Sequence, residues 1–151
     1  MQLLKTFIGI LVATCVSPAL AQTNVGQLLD SGAAKLSAED FKRQIVGRFL
    51  VGPIRSGSEI GSQEIVYLDG GVIRGSGTQY PVGVAPGSTF AIEGTWTIDE
   101  RDRVCQSTQV GSVVLAPRCQ FWFNQSNRYF VADSDTDRSA KVLIRTVKKN
   151  Q

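Results

Sequence analysis

No histidine occurs in the 151 residues, and there are only one methionine, three cysteines and five prolines. Without imidazole, Ser-His-Asp and Cys-His nucleophilic catalysis are excluded, as are zinc sites built on histidine ligands. The side chain that most readily switches charge between pH 5 and 8 is also missing. No Gly-x-Ser-x-Gly elbow, Ser-x-x-Lys dyad or P-loop appears. Neither sign of charge predominates: 16 Lys+Arg stand against 13 Asp+Glu. That excess is too small to imply nucleic acid, and the basic residues are scattered apart from Lys148-Lys149. No apolar stretch approaches the roughly 20 residues that cross a bilayer as a helix. The residues therefore predict no catalytic constellation, no metal site, no cofactor and no membrane-spanning helix.

The first segment reads as an address. Lys5 supplies a short positive region, Phe7 to Val16 an apolar run of ten, Pro18 a break, and Ala19-Leu20-Ala21 a small-x-small cleavage site. Residues 1–21 are expected to be a secretory signal peptide, and cleavage would leave 130 residues. Thr14 before Cys15 does not fit a lipoprotein site, which wants a small residue there. The expected location is periplasmic or secreted. Cys105 and Cys119 would then be the cysteine pair of an oxidising compartment, and a disulfide is the expected state. A redox dithiol would favour a C-x-x-C pair beside a helix start, and neither is present.

From Asn24 to Gly47 the pattern is helical in two pieces, an arm spanning 22–47. Val25, Leu28 and Leu29 recur at helical spacing, and Ser31-Gly32 interrupts. Ser37 suits an N-cap with Asp40 as a short-armed capping partner, Phe41, Ile45 and Val46 form an apolar stripe, and Gly47 suits the stop. A helix over 38–46 is expected, its stripe packed on the following domain. From Arg48 the period becomes two. Phe90, Ile92, Gly94, Trp96 and Ile98 share one face, with Thr89, Ala91, Glu93, Thr95 and Thr97 on the other. Asp69-Gly70 between 64–68 and 71–75 is a hairpin signal. Residues 76–88 read as a long loop with an extended piece near 82–84, and 99–102 as a charged turn. Further strands are expected at 49–51, 104–108, 118–124, 128–132 and 141–147. About eight short strands predict an all-β domain over 48–149, a small antiparallel barrel or sandwich, with the barrel preferred because closure removes exposed edges.

The run Tyr67-Leu68-Asp69-Gly70-Gly71-Val72-Ile73-Arg74-Gly75, then Gly94-Thr95-Trp96-Thr97-Ile98-Asp99, then Val104-Cys105 and Arg118-Cys119 resembles small secreted bacterial domains of unknown function. These share an Asp-Gly hairpin, a Gly-x-Trp strand and a cysteine pair. The resemblance spans roughly 37–148 and implies an extracytoplasmic bacterial β domain with no catalytic residues to carry over. Gly-x-Trp also resembles lipocalin-like and avidin-like barrels and the barrel inhibitors of secreted metalloproteases. In lipocalins that motif lies near the chain start, whereas Gly94-Thr95-Trp96 is mid-chain.

Several residue groups offer chemistry. Asp133-Ser134-Asp135-Thr136-Asp137 opens like a calcium loop, but Arg138 and Ile144 stand where an EF-hand needs Gly and Glu, so a solvated turn is expected. Asp99, Glu100 and Asp102 alternate with Arg101 and Arg103 and read as a self-compensating surface patch. Asn124-Gln125-Ser126 fits a glycosylation sequon and, in a bacterial chain, a turn. Within Phe121-Trp122-Phe123, an inward Cys119 would put Phe121 and Phe123 in the core. Trp122 would then face outward beside Gln120 and Asn124, where an aromatic with polar neighbours can anchor a partner or sugar. The competing reading buries Trp122 beneath the arm around Phe41 and Ile45. The expected function is a non-catalytic secreted or periplasmic binding module for a protein or cell-envelope ligand. The alternatives are a secreted protease inhibitor of barrel type, using Gln22-Thr23-Asn24 as an inserting segment, and a purely structural envelope protein.

Overall fold

The period-two apolar row from Phe90 to Ile98 marks a strand with one buried face. The computed structural model, which describes residues 24–56, 59–81 and 87–149, folds that row inward. Eight long strands close an antiparallel barrel: β2 (Phe49–Ser56), β3 (Glu59–Leu68), β4 (Val72–Pro81), β5 (Ser88–Ile98), β6 (Val104–Val110), β8 (Arg118–Gln125), β9 (Arg128–Ala132) and β10 (Val142–Val147). Two-residue strands β1 (Ala34–Lys35) and β7 (Val113–Val114) are accessories. Neighbours follow chain order except that β6 joins β8 and β10 joins β2.

Both of those junctions are short. Strand β6 meets β8 through Val104–Gln120, Cys105–Cys119 and Gln106–Arg118. Strand β10 meets β2 through Thr146–Val51 and Val147–Leu50. Where β6 leaves β8, β1 takes its place, pairing Ala34 with Asn124 and Lys35 with Phe123. The arm thus contributes backbone to the sheet as well as helices.

Ser37 caps α2 (Ala38–Gln44) as its sequence position requires, its hydroxyl accepting from the Asp40 N–H at 3.1 Å. Gly47 follows at φ +80°, a left-handed position open to glycine, and its N–H donates to Tyr67 O at 2.8 Å. The helix closes the barrel end formed by the β3–β4, β5–β6 and β8–β9 turns. Phe41 is buried there against Tyr67, Trp96 and Trp122, with ring centroids 5.2–5.5 Å apart. Leu50, Ile65, Ile73, Ile92, Val104 and Val131 complete the interior core.

A second apolar layer lies outside the barrel. Phe121, Phe123, Phe130 and Ala132 face outward and are covered by Val25 and Leu28 of α1 (Val25–Asp30). The helix is held there by Val25 N–H to Ala140 O and Gly26 N–H to Arg138 O, each 2.9 Å, and by Arg138 on Asp30.

Three expectations need correction. Residues 76–81 belong to β4 and Ser88 to β5, where a loop over 76–88 is expected, while 82–84 lies outside the described residues. The helix over 38–46 ends at Gln44, with Ile45 as its cap. The disulfide is on the outer face of the barrel, which reverses the expected facing of β8 and turns Trp122 inward.

Candidate functional site

Alternation along each strand sets what the barrel interior contains. Trp122 and Gln120 share the inward row of β8, opposite Val131 of β9 and Val104 of β6. Trp122 is 3% exposed and Gln120 is 7% exposed, so neither is the outward anchor that the sequence suggests. Asn124 lies on the same row, and its amide donates to Gln44 Oε1 at 3.1 Å, tying β8 to α2. The three residues are thus brought together, on the inside. Cys105 and Cys119 stand opposite each other across β6 and β8 and are joined, with sulfurs 2.04 Å apart.

Beyond the aromatic layer around Phe41 the interior opens. A space of about 1020 Å³ is lined inside the barrel by Ile65, Ile73, Ile92 and Val110, with Gln63, Tyr67, Gln106, Thr108, Arg118, Gln120 and Arg145 as polar groups. It continues around β10 to touch the outer-face residues Phe130, Val142 and Ile144, so the figure covers both sides of that strand. Leu115 and Leu143 line it at the end away from α2, and they are 45% and 40% exposed. Among the described residues no element covers that end.

The polar groups are not spread at random. Tyr67, at an inward position of β3, donates its hydroxyl to Gln106 Oε1 on β6 at 2.8 Å. Burial pushes its phenol pKa well above the ordinary 10.0, and the positive charge of Arg145 opposes that shift. Tyr67 is therefore a neutral group at any physiological pH. Arg145 sits inward on β10, 8% exposed, and is accommodated because Gly52 on β2 has no side chain. A Cβ at Gly52 would lie 2.3 Å from Arg145 Nη1 and 2.8 Å from its Cδ. Burial lowers the Arg145 pKa from its ordinary value, with Tyr67 working the other way, and a guanidinium stays cationic regardless.

Among the described residues Arg145 has no ion-pair partner. The ion pairs among the described residues join Lys35–Asp135, Arg43–Asp40, Arg103–Asp99, Arg118–Asp133, Arg138–Asp30 and Lys148–Glu64. Its one hydrogen bond runs from Nη1 to Ile144 O at 2.9 Å. No sealed side-chain nitrogen or oxygen among the described residues lacks a partner, so the remaining guanidinium donors reach the cavity. At the far end, Asp133 accepts from Arg118 at 2.9 Å and from Gln120 at 2.8 Å. Partial burial raises its pKa, but those two bonds outweigh it and hold the carboxyl below its usual range. Arg118 is thereby neutralised, and Arg145 is left as the uncompensated charge of the interior.

The other sequence candidates fall on the surface. Asp99 bonds Arg103 and accepts from the N–H groups of Arg101 and Arg103, while Asp102 accepts from Ala38 N–H. Asp135 pairs with Lys35, and Asp137 accepts from Ser139. Asp99 also lies beside Cys105 and Cys119, whose sulfurs are committed to each other. Asn24 caps α1 and bridges Lys141, and Gln22-Thr23 lies outside the described residues.

Comparison adds no name. No family model matches the chain, and no curated protein or solved structure matches it either. The site therefore rests on its own geometry. Sequence reasoning missed Arg145, Tyr67, Gln106 and Gly52. One signal was available: Arg145 is the charged residue in the row Leu143, Arg145, Val147, where an interior strand would carry an apolar one.

Proposed function

We propose that this chain is a non-catalytic binding barrel of the periplasm or the extracellular space, which takes a small cell-envelope ligand into its interior from the end opposite α2. The observation that carries this reading is the space inside the barrel, where the apolar wall of Ile65, Ile73, Ile92 and Val110 meets an inward set of polar groups that includes Arg145. The signal-like segment and the disulfide support the compartment. The interior arrangement favours a small ligand over a macromolecular partner, because Trp122 and Gln120 are withdrawn from the surface.

The neutral dye N-phenyl-1-naphthylamine tests the reading. It should bind the folded protein saturably near one equivalent, with energy transfer from Trp96 and Trp122, which line the core beneath the cavity. The variant Val110→Trp, which places an indole in the space, should weaken the signal while the far-ultraviolet spectrum stays unchanged. Dye binding that is absent, or indifferent to Val110→Trp, would overturn the reading and move the search to the outer surface.

A further inference from the structure

We propose that the ligand is a monoanionic amphipath, an acyl chain ending in a carboxylate, whose head group pairs with Arg145 inside the barrel. This rests on the cavity reading above and names the ligand class. An arginine that is nine-tenths buried and in no ion pair among the described residues is an expensive arrangement unless an anion arrives to complete it. The surrounding structure keeps the guanidinium there all the same: Gly52 makes room for its stem, and Ile144 O holds one nitrogen at 2.9 Å. The donors left free form a planar fork, which suits a carboxylate in two parallel hydrogen bonds.

The charge of the ligand follows from the charges that face it. Arg118 is matched by Asp133 at 2.9 Å, and Tyr67 is neutral. Arg145 is the inward-facing cation with no ion-pair partner among the described residues, and one negative charge matches it; Arg128 and Lys141 touch the same space beside Gln125 and Asn24. The shape of the ligand follows from the walls. Ile65, Ile73, Ile92 and Val110 surround the space, and the half-exposed Leu115 and Leu143 extend an apolar path to the end of the barrel. A head group at Arg145 with a hydrocarbon chain running toward Leu143 satisfies both.

Decanoate and decan-1-ol, compared by displacement of the neutral dye at equal ionic strength, test the proposal. Decanoate should bind at least about tenfold more tightly than the alcohol. In Arg145→Met, which keeps the length of the side chain and removes the charge, the two should converge while the dye still binds. Arg145→Lys, with charge but no fork, should retain part of the preference. Equal affinity of the two probes for the native protein would overturn the proposal, and the cavity reading would stand on the dye alone. A tenfold preference surviving in Arg145→Met would also overturn it, as would decyl phosphate, with the same chain length, binding more tightly than decanoate. If Arg145→Met fails to fold, the comparison on the native protein decides by itself. Failure of the dye to bind the native protein would remove the cavity reading and this proposal together.

Discussion

Gly52 and Arg145 occupy one space, and neither position can change without the other. A methyl group at Gly52 would meet Arg145 Nη1 at 2.3 Å and the Ile144 carbonyl oxygen at 2.8 Å. The guanidinium can swing away, but a backbone carbonyl in a strand cannot. Gly52→Ala is expected to cost about 1–3 kcal/mol, seen as a lower urea midpoint at unchanged m-value. Tyr67 offers a second residue-scale test. Folding raises its pKa above the unfolded value near 10.0, so its contribution is complete below pH 10 and is lost as pH rises through the folded value. Urea midpoints measured at pH 9 and pH 11 should fall more steeply for the native protein than for Tyr67→Phe. Equal slopes would show that the phenol is not shielded.

At the scale of elements, α2 acts through Phe41. Its ring meets Tyr67 and Trp122 edge-on and Trp96 at a tilt, so truncation leaves a cavity among three large aromatics. Phe41→Ala should destabilise by about 3–5 kcal/mol, read by chemical denaturation, and should increase the near-ultraviolet mobility of the tryptophans. The sequence made some elements plain and hid others for physical reasons. Strand β5 was legible because Ile92 and Trp96 alternate with polar residues. The far part of β4 was hidden because its inward positions, Gly75 and Gly77, carry no side chain and leave no period to detect. Gly77 is required there by the Phe90 ring, which a Cβ would approach to 2.5 Å. In β8 the facing was unreadable for a different reason. Phe121, Trp122 and Phe123 are all buried, because the barrel interior covers one face and α1 covers the other. A strand buried on both faces shows no alternation, so its facing turns on the cysteine: an inward Cys119 would turn Trp122 out, whereas the outward Cys119 puts Trp122 beneath Phe41.

For the whole molecule the disulfide matters more than its position near the surface suggests. The sequence located the pair, and the barrel explains its use: it joins two strands that share only three register pairs. Closing the 14-residue separation should contribute about 3 kcal/mol in the chain-entropy picture, and Cys105→Ser is expected to cost about 2–5 kcal/mol. Mass spectrometry of protein from its native compartment should show two hydrogens fewer than the reduced form. Two free thiols there would contradict the assignment. The cavity itself was not legible, because it depends on which eight rows meet inside, and no single segment carries that information.

The unequal junctions of the ring give the barrel a mechanical character. Strands β2 to β6 form one continuous shell, and β8 to β10 a second. Two narrow joints hold the shells together, one welded by sulfur and the other resting on Thr146–Val51, Val147–Leu50 and the Lys148 N–H to Phe49 O bond. Such an object should breathe like a clam, hinged at Cys105–Cys119 and parting between β2 and β10, the side where Arg145 stands across Gly52. Deuterium should therefore enter the amides of Val51, Thr146 and Lys148, which bond across that joint, well before those of Val66 and Arg74 in the β3–β4 pair. Reduction of the disulfide should erase the asymmetry by loosening both joints. Uniform protection around the ring would mean that the shells open only when the whole molecule unfolds.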